Sequence, residues 1–431
     1  MFKKFMLQFA LVVILPTTLM LSCARPISNQ QTPIPATRTV STSTPQIRPT
    51  QMLAASTEEP EQQNIPECRG QGVLDLNTPN SGIPGALVYY DSAQKKIRFT
   101  GGKDLQSWDG PSPKDFPSLI GLSPNGKWLA YWTLPAQMHL LSSQGEQKEF
   151  AADPTPLLRL VPPGSGLKQI GWPKWINDRV ISFGVNNPRP GQPNFYFMAF
   201  MDPFSSEWLL LDTYALKGFE DYGRGIPSPD LTRILYIQGQ KDGTATLTLV
   251  DRDKHLELWS QSHFGNFSII SGVPNSQVAW ATDSSKVAFV KNEQQDQSTL
   301  SILNRDGELF QISIPAMQAG ISYLRWSPDG KYLAIAVSEA RETSPSNFYI
   351  FSSILIYDQS LGRITSTCPV PDHQDVGDIA WVADQPAIVY HASNGDINQG
   401  RLILLDFQTG LSVKIAENVS QFGGWSADFI K

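Results

Sequence analysis

The stretch Leu324–Ser338, LRWSPDGKYLAIAVS, constrains the fold more than any other part of the chain, because it reads as strand, turn, strand and it recurs. Pro328 presets φ for the second position of a turn, Asp329 tolerates the third and caps it, and Gly330 supplies the positive φ that re-enters a strand. Leu324 and Trp326 share a face before the turn. After it, Tyr332–Val337 is a continuous apolar run, too short for a helix and suited to a strand covered on both faces.

Copies follow through the chain. Gly121–Tyr131 (GLSPNGKWLAY) is close, and Lys174–Phe183, Ile226–Tyr236, Ala279–Phe289, Ala380–Tyr390 and Gly424–Asp428 keep parts of the pattern. The interval is roughly 45 to 55 residues, the period of propeller blades. Each copy but the last is followed by a second hairpin of alternating apolar and polar residues, such as ILIYDQSLGRIT and LILLDFQTGLSVKI. Each unit thus has strands a, b, c and d, and radial repetition covers the faces that one unit would leave wet. The expected fold is all-β: a β-propeller of seven four-stranded blades, within a range of six to eight. Its N- and C-terminal strands pair to close the ring. The C-terminal copy is read as strands a and b of the closing blade, and Ala86–Asp91 with Lys95–Thr100 as its c and d. Residues 68–431 form one domain on this reading.

The motifs Trp326-Ser-Pro-Asp-Gly-Lys331 and Ser123-Pro-Asn-Gly-Lys127 resemble the WD40-like Pro-Asp repeat of TolB-type bacterial β-propellers. That resemblance covers the whole folded region. It implies the fold and says little of function, since the motif is turn chemistry; such propellers serve as protein-binding modules, as companions to peptidase domains, and occasionally as enzymes.

The N-terminus carries Lys3 and Lys4, an apolar run from Phe5 to Leu15, and Leu19-Met-Leu-Ser-Cys23. Residues 1–22 read as a signal peptide, and the segment ending at Cys23 resembles the lipobox of bacterial lipoproteins. The resemblance implies lipid modification of Cys23 and anchorage to a bacterial membrane, on the extracellular or periplasmic side. Met20 and Leu21 depart from that family's usual residues, while Ser22 fits. Residues 23–67 are rich in Thr, Ser, Pro and Gln and read as a disordered tether. About forty such residues hold a domain some 35 to 40 Å from their anchor on average.

A net charge of −6, with basic residues scattered, argues against a nucleic-acid partner. Removing residues 1–22 takes away two lysines and no acid, so −6 becomes −8, and membrane contact is expected through the lipid alone. With Cys23 set aside, Cys68 and Cys368 remain, an even number in an oxidising compartment, and a disulfide between them is expected.

Strand direction alternates in a blade, so a-b and c-d turns share one face of the disc while b-c and d-a links share the other. The long connections, 101–118, 151–171, 184–194, 260–276 and 339–353, are all read as b-c or d-a, which places binding on that face. Within them Trp108 and Asp109, Arg189, and Phe348 with Tyr349 are the candidate binding residues. The repeat tryptophans Trp280, Trp326, Trp381 and Trp425 read instead as packing between blades. No nucleophile elbow, HExxH, Walker loop or CxxC occurs, and Ser92-Ala-Gln-Lys95 reads as a turn of the closing blade. No catalytic residue, metal site or cofactor is assigned. The expected function is non-catalytic binding of a protein or cell-envelope polymer; the alternative is a propeller enzyme of glycosidase or lyase type acting on extracellular saccharide. Oligomeric state is left open.

Overall fold

The computed structural model describes Cys68 and residues 82–430 except 134–136, 152–155, 157–168, 188–194, 210–222, 241, 243, 255, 265–277, 293–297, 315–318, 345–346, 372–373, 383–384 and 395–398. The signal-peptide and tether residues, Cys23 among them, lie outside the described residues, as does Arg189.

The turn motifs of blades one, three and five close on their own side chains. Ser327 donates its hydroxyl to Asp329 Oδ1 at 2.7 Å and accepts the amide of Tyr332 at 2.9 Å, while Lys331 N donates to Asp329 Oδ1 at 3.1 Å. Gly330, at φ 68°, completes the turn by donating to Ser327 O at 2.9 Å. The same pattern recurs with Ser123, Asn125 and Trp128, and with Ser228, Asp230 and Arg233. Burial opposes ionisation of Asp329, but the Ser327 and Lys331 side chains and the Lys331 amide overcome it and hold the carboxyl at about 2.

The strands assemble into five four-stranded antiparallel sheets and one of seven strands. Strand registers divide the seven-stranded sheet into two blades. The strand Leu411–Ser426 pairs with Gly400–Asp406 over its first part and with Ile83–Asp91 over its second. Between the two, Asn418 sits at φ 57°, a left-handed conformation that asparagine tolerates, and the chain turns back. It thereby leaves the outermost strand of one blade and becomes the innermost of the next. Seven blades of four strands result, numbered one to seven from Ser118.

The closing blade departs from the sequence-based expectation. Its strand a is residues 419–426 and comes from the C-terminus. Ile83–Asp91 is strand b rather than c, Lys96–Gly102 is c rather than d, and Gln106–Asp109 is d. Closure is one strand plus three, not two plus two. Ser92–Lys95 is consequently a b-c turn, not a c-d turn. At the seam the backbones approach too closely for side chains: a Cβ on Gly101 would collide with Gly85 O, and one on Gly85, at φ +78°, with Ser426 O.

Core residues lie between blades. One cluster joins Val290, Leu300 and Ile302 of blade four to Leu324, Leu333 and Leu355 of blade five. Another joins Ala334 and Ile356 of blade five to Val376, Ile379 and Ile388 of blade six. The repeat tryptophans knit these interfaces through polar atoms as well as rings. Trp175 Nε1 donates to Gly121 O (2.9 Å), Trp280 to Ile226 O (3.0 Å), Trp326 to Ala279 O (3.0 Å) and Trp381 to Arg325 O (3.0 Å). Each bond runs from strand a of one blade to strand a of the blade before it. Trp425 departs from this pattern and donates to Pro84 O within the closing blade, at 2.6 Å. Trp326→Phe keeps most of the packing but leaves the Ala279 carbonyl without its donor and removes the indole under the Lys286 ammonium, 4.6 Å from the ring. Urea denaturation is expected to register a loss of about 1–3 kcal/mol with an unchanged slope.

A disulfide joins Cys68 to Cys368, residues 300 apart in sequence, and Cys68 N donates to Thr367 O at 2.8 Å. Cys368 lies at the end of strand d of blade five (Arg363–Pro369), so the bridge is made on the b-c/d-a side.

Candidate functional site

The two faces of the disc differ in what their backbone does. On the a-b/c-d face the c-d turns are pinned to the a-b turns: Ser143 N donates to Lys127 O, Arg252 N to Thr232 O, Arg305 N to Ser285 O and Gln359 N to Lys331 O, all at 2.9–3.0 Å. Neighbouring blades are also stitched there. Asn125 N donates to Asp178 Oδ1 (2.8 Å), Asn177 Nδ2 to Pro229 O (2.7 Å), Asp230 N to Ser284 Oγ (2.9 Å), and Ser426 Oγ to Gly126 O (2.7 Å). This face spends its polar groups on itself.

Carboxylates at the end of strand c follow the same rule. Asp202, Asp251, Asp358 and Asp406 each accept an amide of the c-d turn that follows, and Asp251 also pairs with Arg233 at 3.1 Å. Asp91, at the end of strand b of blade seven, caps the next turn in the same way, through Gln94 N. These acids are turn chemistry. Among the described residues no group of three or more His, Cys, Asp and Glu could hold a metal ion.

On the opposite face the intervals between strands are longer: Ala151 to Gln169, Leu209 to Gly223 and Gln261 to Val278 for d-a, and Asn187 to Phe195 for b-c. The segment 339–353, expected as a loop, is instead a continuation of the strands. Strand b of blade five runs Tyr332–Ser344 and strand c Asn347–Asp358, while strand a begins opposite Glu339 and strand d ends opposite Ser353. Beyond that level the pair continues as a two-stranded ribbon, Ala340 opposite Ile350 and Arg341 opposite Tyr349. Phe348 and Tyr349 stand in this ribbon.

Trp108 and Asp109 lie elsewhere than expected. They are on the outer strand of blade seven, not in a d-a loop. Trp108 stacks on Phe99 (centroids 5.7 Å apart, 10° between planes) and packs at the interface of blades seven and one. Asp109 pairs with Lys96 at 2.6 Å, which lowers its pKa. The d-a link is the shorter 110–117, and in it Phe116 is 54% exposed on the long-link face, edge-on to Tyr90.

A polar cluster that sequence reasoning missed lies on the innermost strands, around the axis. Lys174 (blade two), Tyr323 and Arg325 (blade five) and Asp378 (blade six) lie close enough for the charges of Arg325 and Asp378 to act on both Lys174 and Tyr323. Blades two and five are not neighbours, so this interaction crosses the central channel. Desolvation first, then repulsion from Arg325, depresses the Lys174 ammonium to about 8, with Asp378 pulling the other way. Burial and then the Asp378 charge push the Tyr323 phenol up. Lys174 and Tyr323 are half-buried and Arg325 is exposed.

The signal for this cluster was present in the repeats. The residues just before the tryptophan position in blades one to seven are Gly121, Lys174, Ile226, Ala279, Arg325, Ala380 and Gly424. Charge occurs there in two blades only.

No family model and no curated protein matches the chain. The crystal structure of TolB from Acinetobacter baumannii aligns over 68% of this chain at 16% identity and a TM-score of 0.39, and this chain covers 65% of that one. A functionally unknown protein from Desulfotomaculum acetoxidans aligns over 79% of this chain and 98% of its own, at 10% identity and 0.47. An oligogalacturonate lyase from Vibrio parahaemolyticus aligns over 73% and 88%, at 13% and 0.43. These likenesses bear on fold alone, and the strand pairing carries the fold without them. The chain is an all-β propeller of four-stranded blades, with distant structural similarity to TolB-like propellers.

Proposed function

We propose that the protein is a lipid-anchored, extracytoplasmic propeller that binds a protein or a cell-envelope polymer through its b-c/d-a face, without catalysis. Cys23 carries the lipid, and residues 23–67 are the tether. The supporting observation is the blade-five ribbon, residues 340–352, which extends past the strands that flank it on that face. Such a ribbon offers open backbone edges together with the sequence Phe348-Tyr-Ile-Phe351, the means by which sheet edges take up extended partners. Arg189 and Phe116 belong to the same face on this reading. The alternative, a glycosidase or lyase, draws less support, since the acids that end strand c in blades two, three, five and six are taken up by their own turns.

The test replaces residues 340–350 with a two-residue Asn-Gly turn in the full chain, which keeps Glu339 opposite Phe351. Cross-linking in intact envelopes is expected to lose its adducts while the thermal melt stays within a few degrees of wild type. Unchanged adducts from a well-folded variant would remove the face assignment. Separately, Cys23→Ser is expected to move the protein from the membrane to the soluble fraction.

A further inference from the structure

The outer strand of a propeller blade is a sheet edge, and a charged side chain on it deters pairing with other strands. Most blades carry one there: Lys148 in blade one, Glu207 in two, Glu257 in three, Arg363 in five, Lys414 in six and Asp109 in seven. The edge of blade five also receives Cys68 N at Thr367 O. Blade four is the exception. Its outer strand, Leu309–Ile314 (LFQISI), has no charged residue, and Phe310 on it is 57% exposed. The turn before this strand fixes which of its groups stay open. Asn304 N donates to Glu308 O at 2.9 Å, and the register then makes Ile302 with Phe310 and Leu300 with Ile312 the pairs that exchange hydrogen bonds. The N–H and C=O of Leu309, Gln311 and Ser313 therefore point away from strand c, and among the described residues no backbone bond reaches them from outside the sheet.

We propose that this strand pairs with the same strand of a second copy of the chain, antiparallel about a two-fold axis at Gln311, joining two propellers edge to edge. The strand complements itself in that register. Leu309 of one copy lies opposite Ser313 of the other, Gln311 opposite Gln311, and Ser313 opposite Leu309, so every outward N–H meets a carbonyl. Phe310 falls opposite Ile312 of the other copy, at a position where cross-strand side chains approach most closely, and forms an aromatic and β-branched pair. Ile312 and Ile314 already pack into the cluster between blades four and five, and Phe310, two residues before Ile312, extends their row to the open edge. Charge permits the pairing as well. Glu308 comes opposite Ile314 of the other copy, and no like charges oppose one another. The four-stranded sheet of blade four thereby continues into that of its copy. This interface uses the rim of blade four and not the blade-five ribbon, so the two proposals fail independently.

Single-cysteine cross-linking of the full chain in intact envelopes tests this. Cys68 and Cys368 are already bridged, and the wild-type chain, which retains Cys23, sets the background. Gln311→Cys meets its own copy at the axis, at a Cα separation of about 5.5 Å that a disulfide accepts. Ser313→Cys lies on the same edge but, in this register, roughly 14 Å along the strand from its copy, too far to bridge. Mild oxidation is expected to give Gln311→Cys an adduct of twice the chain mass, and to leave Ser313→Cys bridged at least about tenfold less. Adding Phe310→Lys puts a charge on the edge and removes the Phe310 and Ile312 contact twice over, by symmetry. It is expected to cut the Gln311→Cys adduct by about tenfold while leaving the thermal melt unchanged, because Phe310 is exposed in the single chain. Should Phe310→Lys fail to fold, the comparison of Gln311→Cys with Ser313→Cys still decides. No adduct above background, equal bridging by Ser313→Cys, or an adduct undiminished by a folded Phe310→Lys would each overturn the proposal. So would an adduct of any mass other than twice the chain's, which would mean that the edge takes up a different protein.

Discussion

Deleting residues 419–431 is expected to abolish cooperative folding of the propeller. Those residues supply the whole of strand a in blade seven, and Val419, Phe422, Ser426 and Phe429 are buried there. Burial of the one valine and two phenylalanines alone contributes about 1.5–3 kcal/mol each. The deletion also removes three links that no other residues replace. Gln421 spans from blade seven to blade one, accepting from Leu119 N and donating to Pro117 O, both at 2.6 Å. Ser426 Oγ donates to Gly126 O at 2.7 Å, and Trp425 Nε1 to Pro84 O at 2.6 Å. At roughly 1 kcal/mol per hydrogen bond, the total is comparable to the roughly 5–15 kcal/mol net stability of a folded domain. It also leaves strand b, Ile83–Asp91, as an open edge. Near-UV circular dichroism through a thermal scan measures this: loss of the native signal at all temperatures is expected, and a retained cooperative melt would mean the ring holds without its C-terminal strand.

Loss of the Cys68–Cys368 disulfide has the second-largest expected effect. Its loop spans 300 residues, and the chain-entropy relation assigns a loop of that length on the order of 5 kcal/mol. Both sulfurs sit in or against the apolar cluster between blades five and six, so alanine rather than serine is the clean replacement. The Cys68→Ala/Cys368→Ala double variant is expected to unfold at clearly lower urea, and dithiothreitol should lower the wild-type midpoint by the same amount while leaving the variant unchanged. A midpoint insensitive to reduction would show that Cys68 adds nothing to the fold.

The turn chemistry made the blades legible. Ser, Pro, Asp or Asn, Gly and Lys at fixed spacing dictate one backbone conformation, and the structure repeats it with the hydrogen bonds those side chains allow. The closing blade is less legible because alternation alone does not tell its strands apart. Burial separates them: Ala86–Asp91 is buried along its whole length, as Leu333–Val337 is, and a strand covered on both faces is b. The continuous run Ala86-Leu-Val-Tyr-Tyr carried that information in the sequence. Trp108 reads as a loop residue from sequence because a four-residue outer strand, Gln106–Asp109, has too little pattern to show, and its ring finds Phe99 only once the strands pair. Around Phe348 and Tyr349 the sequence suggests a loop because polar residues such as Glu339, Arg341 and Glu342 interrupt the apolar run, yet the backbones of strands b and c stay paired as far as Ser344 and Asn347. The channel cluster was hidden for another reason. Lys174, Arg325 and Asp378 are isolated in sequence, and only the ring brings blade two opposite blade five.

The roles of the closing blade's strands, and with them the face given to Ser92–Lys95 and to Phe116, rest on the one-plus-three closure, and disulfide mapping tests that closure most directly. In the full chain, Leu87→Cys with Trp425→Cys places two cysteines at partnered positions of strands b and a. Mild oxidation followed by peptide mapping is predicted to join residue 87 to residue 425, and to leave the Leu87→Cys/Phe429→Cys pair open. Efficient bridging of 87 to 429 with none to 425 would place residues 427–431 beside Ile83–Asp91 as a second C-terminal strand, and would contradict the account.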